Sequence, residues 1–333
     1  MERDKAKLLV TVAQLYYEER RTQEEIGKML GVSRFKVQHL LQEAREEGIV
    51  SIRITDPFST RVELEKELEG KFGLERAIVV PSAYLSKPLI LREMGRYGAL
   101  LFREIVQDGD IIGIGWGTSV AECIRQLNPD YKKVIVVPLG GGTGQIDPTF
   151  QVNELSKSVA NKFKAKWNSL DIPIFVENKE TKNTLFNESR VKEVIDLWDK
   201  LTVALVGIGN IPGLWEERSP LVALSKEAIE TLKRELILCK SVGDIVQNYF
   251  DINGNILPIS VRENILSIGI EQIKKIRKVI ALSGGEDKRE AVLGALRGGY
   301  VTHLVTDESV TKYLIEADFH SVSEESLSYK EVK

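Results

Sequence analysis

The chain has 333 residues, of which 43% are hydrophobic and 29% charged, with a net charge of −3. That length suggests about two domains, and the charge balance excludes a non-specific nucleic-acid coat protein. A local reader of DNA stays open, because what counts is the charge on the docking face. Cys123 and Cys239 are too isolated for a disulfide scaffold or a metal-ligand spacing. The first residues lack the apolar core of a signal peptide and no run reaches membrane-spanning length, so a cytoplasmic protein is expected.

Residues 5–19 carry Leu8, Leu9, Val12, Leu15 and Tyr16 at helical spacing. Thr22 with Glu25 three residues on fits a capping box, and Ile26, Met29 and Leu30 fall on one helical face. Gly31 suits a helix end, and Ser33 can cap a second helix whose buried stripe is Val37, Leu40 and Leu41. This pattern predicts a helix-turn-helix with its second helix in the DNA major groove. A plain helical hairpin with a solvated charged face is the alternative. The segment from Gly31 to Gln42 contains Arg34 and Lys36 and no acid. The candidate DNA-facing positions are Thr22, Gln23, Ser33, Arg34, Phe35, Lys36, Gln38 and His39. Alternation over Ile49–Ile54 predicts a wing strand, closing a winged domain over residues 1–56. Thr60–Phe72 reads as a charged amphipathic helix, either a connector within 57–75 or a self-association helix, or else a helix lying on its own domain.

From Arg76 onward apolar β-branched runs alternate with helical stretches. Strands are predicted at Ala77–Pro81, Asp110–Gly115, Val134–Pro138, Ile172–Val176, Val203–Gly207, Val279–Ser283 and Val301–Thr306. Helices are predicted at Pro88–Val106, Thr118–Leu127, Val152–Trp167, Arg190–Leu201, Lys226–Leu236, Asp287–Arg297 and Glu308–Glu316. Such alternation predicts an α/β fold, a doubly wound Rossmann-like sheet over 76–320, with a polar tail over 321–333.

Ligands in open α/β sheets bind beyond the carboxyl ends of strands. Gly113, Gly115, Gly117, Thr118 and Ser119 lead directly into a helix. Glycine backbone, hydroxyls and a helix N-terminus together suit a phosphate. The spacing matches neither a P-loop nor G-x-G-x-x-G, and a tight turn that binds nothing is the bland alternative. Gly140–Gly142, Gly207–Asn210, Asp244 and Lys288 lie in further loops of this kind. Asp244 can accept from sugar hydroxyls, and Lys288 can neutralise a phosphate. No catalytic constellation, metal-ligand spacing or cofactor motif is present, and neither His303 nor His320 has a ligating neighbour in sequence.

Taken together, the pieces resemble the SorC family of bacterial transcriptional regulators, the group of the sorbitol-operon, deoxyribonucleoside and central glycolytic gene regulators. The resemblance rests on Leu15–Glu19, Thr22–Ile26, Leu30–Arg34 and Ala44–Val50 at the N-terminal end. Further on it rests on Gly113–Ser119, Ser219–Leu221, Val242–Ile245, Ser283–Gly285 with Lys288, Ala295–Gly299 and Leu304–Glu308. It implies a sugar-binding domain like the phosphosugar isomerases and deaminases, sensing a phosphorylated sugar. It implies homo-oligomers, dimers or tetramers, on double-stranded operator DNA. The phosphate loop would be Gly115, Gly117, Thr118 and Ser119, and the sugar-facing positions Gly141, Gly142, Asp244 and Lys288. Some members carry Lys or Arg just before the second glycine pair, where this chain has Gly140. A Schiff base from that position is unavailable, so a smaller or singly phosphorylated effector held without covalent chemistry is expected. Phe35 stands where the family often has a small residue or proline, so the operator sequence does not transfer. The rival reading is a phosphosugar isomerase or deaminase with an accessory helical domain; a non-DNA adaptor is the third.

Overall fold

The structure is a computed structural model that describes residues 3–50, 61–83, 85–142, 151–215, 221 and 224–317. It divides into two units, residues 1–59 and 60–333. The predicted wing lies mostly outside the described residues, as do the 321–333 tail and the Ser219–Pro220 match.

The N-terminal unit consists of α1 (Arg3–Tyr17), α2 (Gln23–Leu30) and α3 (Arg34–Glu46). Thr22 caps α2 by the predicted box. Its hydroxyl accepts from the Glu25 N–H at 3.3 Å, and its own N–H donates to Glu25 Oε2 at 2.8 Å. That bond holds the Glu25 carboxyl below the usual carboxylate range. Gly31 ends α2 in left-handed backbone, and the Ser33 hydroxyl accepts from the Lys36 N–H at 3.2 Å to start α3. Leu9, Val12, Leu15, Ile26, Val37, Leu40, Leu41 and Ala44 close the core. Met29 departs from expectation: it is 58% exposed, because Ile26 and Leu30 suffice to seat so short a helix. Leu8 likewise sits beside the buried stripe, at 39% exposure. Arg45 donates to the Tyr17 hydroxyl from Nε and Nη2, tying α3 to α1.

The larger unit opens with α4 (Val62–Phe72), whose Leu68 is fully buried in its own domain's core. Then come β1 (Arg76–Val80), α5 (Lys87–Ile105), β2 (Ile111–Ile114), α6 (Thr118–Gln126), β3 (Ile135–Pro138), α7 (Val152–Phe163) and β4 (Lys166–Trp167). The chain continues through α8 (Lys179–Asn187), α9 (Ser189–Trp198), β5 (Val203–Gly207), β6 (Gly209–Asn210), α10 (Lys226–Leu238), β7 (Gly243–Ile245) and β8 (Asn248–Phe250). It closes with α11 (Ile270–Ile273), β9 (Lys278–Leu282), α12 (Arg289–Arg297), β10 (His303–Asp307) and α13 (Glu308–Glu316). The main sheet is parallel, in the order β1-β10-β9-β5-β2-β3-β4. One apolar layer packs on each face: Ile78, Ile112, Val203 and Val305 belong to one, Val79, Ala204, Val279 and Leu304 to the other. This is the α/β sheet that the strand–helix alternation predicted.

Two local expectations fail, and two elements were not foreseen. The helix predicted to Trp167 stops at Phe163, where Lys164 turns left-handed (φ 51) and the edge strand β4 begins. Residues 172–176 make no strand. Pro173 has no N–H to donate, and only single bridges link this stretch to Gly142 and Ile265. The polar helix α8, which buries none of its residues, has no periodic signal to announce it; Asn178 caps it. A small antiparallel sheet, β6-β7-β8, was also not anticipated.

Candidate functional site

β2, β5 and β9 are neighbours at the centre of the sheet, and their carboxyl ends meet at one opening. From β2 the chain proceeds outward to β3 and β4, and from β5 outward in the other direction to β9 and β10. A crevice forms where successive connections diverge in this way. It is a cavity of about 350 Å³, lined by Trp116–Ser119 after β2, Gly207–Asn210 after β5, and Leu282 with Gly284, Gly285, Asp287 and Lys288 after β9. The hairpin residues Asp244, Val246 and Gln247 form another wall, and Lys87, Ile90, Leu91 and Met94 of α5 a further one.

At one end of the cavity α6 begins. Gly117 holds φ 126, a conformation that side chains resist, and turns the chain straight from β2 into the helix. The Ala121 N–H closes the first turn on the Gly117 carbonyl at 2.9 Å. The first N–H groups of a helix have no partner within it, so those of Thr118 and Ser119 are free of the α-helical ladder. With the two hydroxyls they form an anion-favouring surface, strengthened by the helix dipole.

Asp244 is 5% exposed. Burial raises its carboxyl to a pKa of about 6, opposed by the Gln247 N–H at 2.9 Å and by the positive charge of Lys288. Gly209 leaves it room: a Cβ there would lie 2.1 Å from Asp244 Oδ1. Lys288 donates to the Ile208 carbonyl at 2.8 Å. Asn210 donates to the Asp287 carbonyl at 2.8 Å and accepts the Gly213 N–H at 3.2 Å, fixing the β5 loop against the β9 loop. Lys87 lies 3.5 Å from Asp287.

The cavity thus brings together Gly117, Thr118, Ser119, Asp244 and Lys288. Gly115 sits just behind it, with its N–H spent on Leu205 O at 2.9 Å. Gly141 and Gly142 are not among the described lining residues. Their N–H groups bond to Leu266 and Ile172, and a Cβ on Gly141 would meet the Pro173 carbonyl at 2.4 Å. A Cβ on Gly140 would crowd Ser267, Ile174 and Trp116 at 3.0–3.1 Å. The lining residues Lys87, Gln247 and Asp287 were not anticipated. Only a hairpin signature at 246–247 could have found Gln247, and Val-Gln is not one.

In the N-terminal unit, Ser33, Arg34, Phe35, Lys36, Gln38 and His39 are all exposed around the start of α3, Phe35 at 82%. Thr22 is exposed and Gln23 half-buried at the start of α2. The hydroxyls of Thr22 and Ser33 serve as helix caps. Among the described residues, no group of His, Cys, Asp and Glu could hold a metal, and no helix is long and apolar enough to cross a membrane.

Comparison with known proteins places each unit in a family. The putative sugar-binding domain family matches residues 56–316, and region 4 of the sigma-70 family matches residues 11–47. The chain is 34% identical to the sorbitol operon regulator of Klebsiella pneumoniae, over 94% of its own length and 99% of that protein. It is 29% identical to the deoxyribonucleoside regulator of Bacillus subtilis, over 95% of its length and 99% of the relative. The crystal structure of full-length SorC from K. pneumoniae superposes with a TM-score of 0.71, covering 94% of this chain and all of that one. A probable sor operon regulator from Shigella flexneri gives 0.70 at 30% identity, over 77% of this chain and all of the other. These relatives are regulators rather than enzymes, which removes the isomerase and deaminase reading. A helix-turn-helix and a sugar-binding domain in this order make the chain a DNA-binding transcriptional regulator, and it belongs to the SorC family of bacterial sugar-binding regulators.

Proposed function

We propose that this regulator controls a carbohydrate operon in response to a singly phosphorylated sugar held, without covalent chemistry, in the cavity at the ends of β2, β5 and β9. One observation carries the reading: the start of α6 and the buried Asp244 face the same 350 Å³ space. The phosphate rests on Gly117, Thr118 and Ser119. Asp244 and Lys288 serve the hydroxylated end, a carboxylate accepting and an ammonium donating. Gly115, Gly141 and Gly142 support the site through backbone packing. Relatives named for sorbitol and for deoxyribonucleosides fit a hydroxylated effector.

DNA is read by α3. Arg34 and Lys36 suit guanine edges or phosphates, Gln38 suits adenine, and His39 and Phe35 flank them, with Thr22, Gln23 and Ser33 near the backbone. Residues 1–56 form the reading domain, and α4, which packs into the core of the larger unit rather than standing apart as a connector, belongs with 76–320 to the sensing and assembly domain. The protein acts in the cytoplasm as a dimer or tetramer on double-stranded operator DNA. The effector acts by preferring one arrangement of the oligomer; a near-complete switch needs a differential affinity of roughly 5.5 kcal/mol.

The test has two arms on the full chain. Arg34→Ala with Lys36→Ala should abolish shifting of the protein's own promoter fragment while leaving its melting midpoint in place. Thr118→Arg should remove the thermal stabilisation given by the best binder among glucose 6-phosphate, fructose 6-phosphate and ribose 5-phosphate. An unchanged melting response in Thr118→Arg places the phosphate elsewhere.

A further inference from the structure

β7 and β8 are joined by Val246 and Gln247 alone, and both residues hold left-handed backbone, at φ 51 and 62. Neither is a residue that favours this conformation. Neighbouring side chains hold the reversal in place. Asn248 Nδ2 donates to the carbonyls of Ile245, Val246 and Ile268 at 3.0–3.2 Å, and Ser267 Oγ donates to Val246 O at 3.0 Å. The Gln247 N–H is fixed on Asp244 Oδ2. A turn kept against its conformational preference, in the wall of a cavity, places a side chain where an ordinary turn would not.

That side chain is the Gln247 amide, in a residue only 3% exposed. Its Oε1 accepts from the Tyr249 hydroxyl at 2.6 Å. Tyr249 is itself buried, which pushes its pKa well up and keeps the hydroxyl protonated and donating. The amide is thereby oriented. Its Nε2 has no hydrogen-bond partner among the described residues, is not sealed off from the cavity, and carries two donors. Beside it stands Asp244, a carboxylate that can only accept when ionised.

We infer that Gln247 is a specificity-determining residue, whose amide nitrogen donates to one hydroxyl oxygen of the sugar while Asp244 accepts a hydrogen bond from the adjacent hydroxyl. The cavity therefore reads a vicinal diol. This rests on the effector reading above and adds to it the feature that the hydroxylated end must present. A phosphate or a lone carbonyl satisfies the amide but gives Asp244 nothing to accept. A deoxy position leaves one of two nearly buried polar groups unpaired, which sites built on hydrogen bonds reject strongly. Tyr249 is a positioning residue, acting through the orientation of the amide.

Calorimetry on the full-length protein tests this with two matched pairs: ribose 5-phosphate against 2-deoxyribose 5-phosphate, and glucose 6-phosphate against 2-deoxyglucose 6-phosphate. Inorganic phosphate reports on the α6 end alone. Wild type should bind the hydroxylated member of at least one pair about 10-fold or more tighter. Gln247→Met should bring that ratio within about 2-fold and leave inorganic phosphate affinity unchanged. Tyr249→Phe should lower the same ratio by about 3-fold, and it decides the matter if Gln247→Met does not fold. Equal affinities within both pairs in wild type, or an unchanged ratio in the variants, overturns the diol reading while the phosphate site stands. A wild type that binds none of the five probes overturns both readings.

Discussion

Arg34, Lys36 and His39 stand on solvent-exposed turns of α3, whereas Asp244, Gln247 and Asn210 are almost sealed within the larger unit. On α3 the packing stripe of Val37, Leu40, Leu41 and Ala44 is separate from the outward residues, so the outward face can change without disturbing the core. Around the cavity no such separation exists. The Asp244 carboxylate receives a hairpin N–H, Asn210 staples two loops, and Gln247 occupies a left-handed position. Altering operator preference should therefore leave stability almost untouched, while altering effector preference disturbs the fold that holds the effector.

Gly209→Ala should expose that coupling most strongly. Its methyl would fall onto Asp244 Oδ1, driving the buried carboxylate out of its place. Overpacking of this kind costs about 3 kcal/mol. Denaturant unfolding should show that loss together with a vanished effector response; a stable variant with a normal response would break the contrast. The second effect is in pH. Because Asp244 is raised to about 6 when folded, its contribution to stability is present at low pH and is lost as pH rises through 6. Without effector, wild type should gain roughly 1–2 kcal/mol relative to Asp244→Asn between pH 7 and pH 5. Parallel pH profiles for the two proteins would mean that the carboxyl is solvated. The smallest effect is at α3. Ser33→Ala removes the cap on the Lys36 N–H and should cost about 1 kcal/mol by thermal unfolding. A far larger loss would show that the reading helix is not insulated from its core after all.

This contrast also explains what could be read in advance. The capping box at Thr22, the turn at Gly31 and the stripe on α3 are local signals, and residues within about four positions of one another determine them. The central strands were legible because burial on both faces leaves unbroken apolar runs, as at Val203–Gly207. The start of α6 was legible from glycines and hydroxyls lying together in sequence. Asp244 could be singled out as a carboxylate, but its burial depends on Gly209, which comes from strand β6, and on Gln247, which comes from a hairpin turn with no turn signature. Lys87 reaches the cavity from α5, far along the chain from the loops it meets. The apolar run over 172–176 carried no continuous pairing, because Pro173 lacks the N–H that a central strand needs.

The register of the outer strands has a consequence for synthesis. β1 pairs on its described side only with β10, Arg76 beside His303 and Val80 beside Asp307, and α4 leans on α13, with the Lys71 ammonium capping the carbonyls of Ile315 and Ala317. The first strand of the sheet thus waits for a partner made roughly 230 residues later, while the described core of the helix-turn-helix is closed by residues 9–50. On the ribosome the reading unit can fold early, ahead of the unit that governs it. Until β10 emerges, β1 is an unpaired apolar edge, and a chain released short of His303 would present that edge to its neighbours.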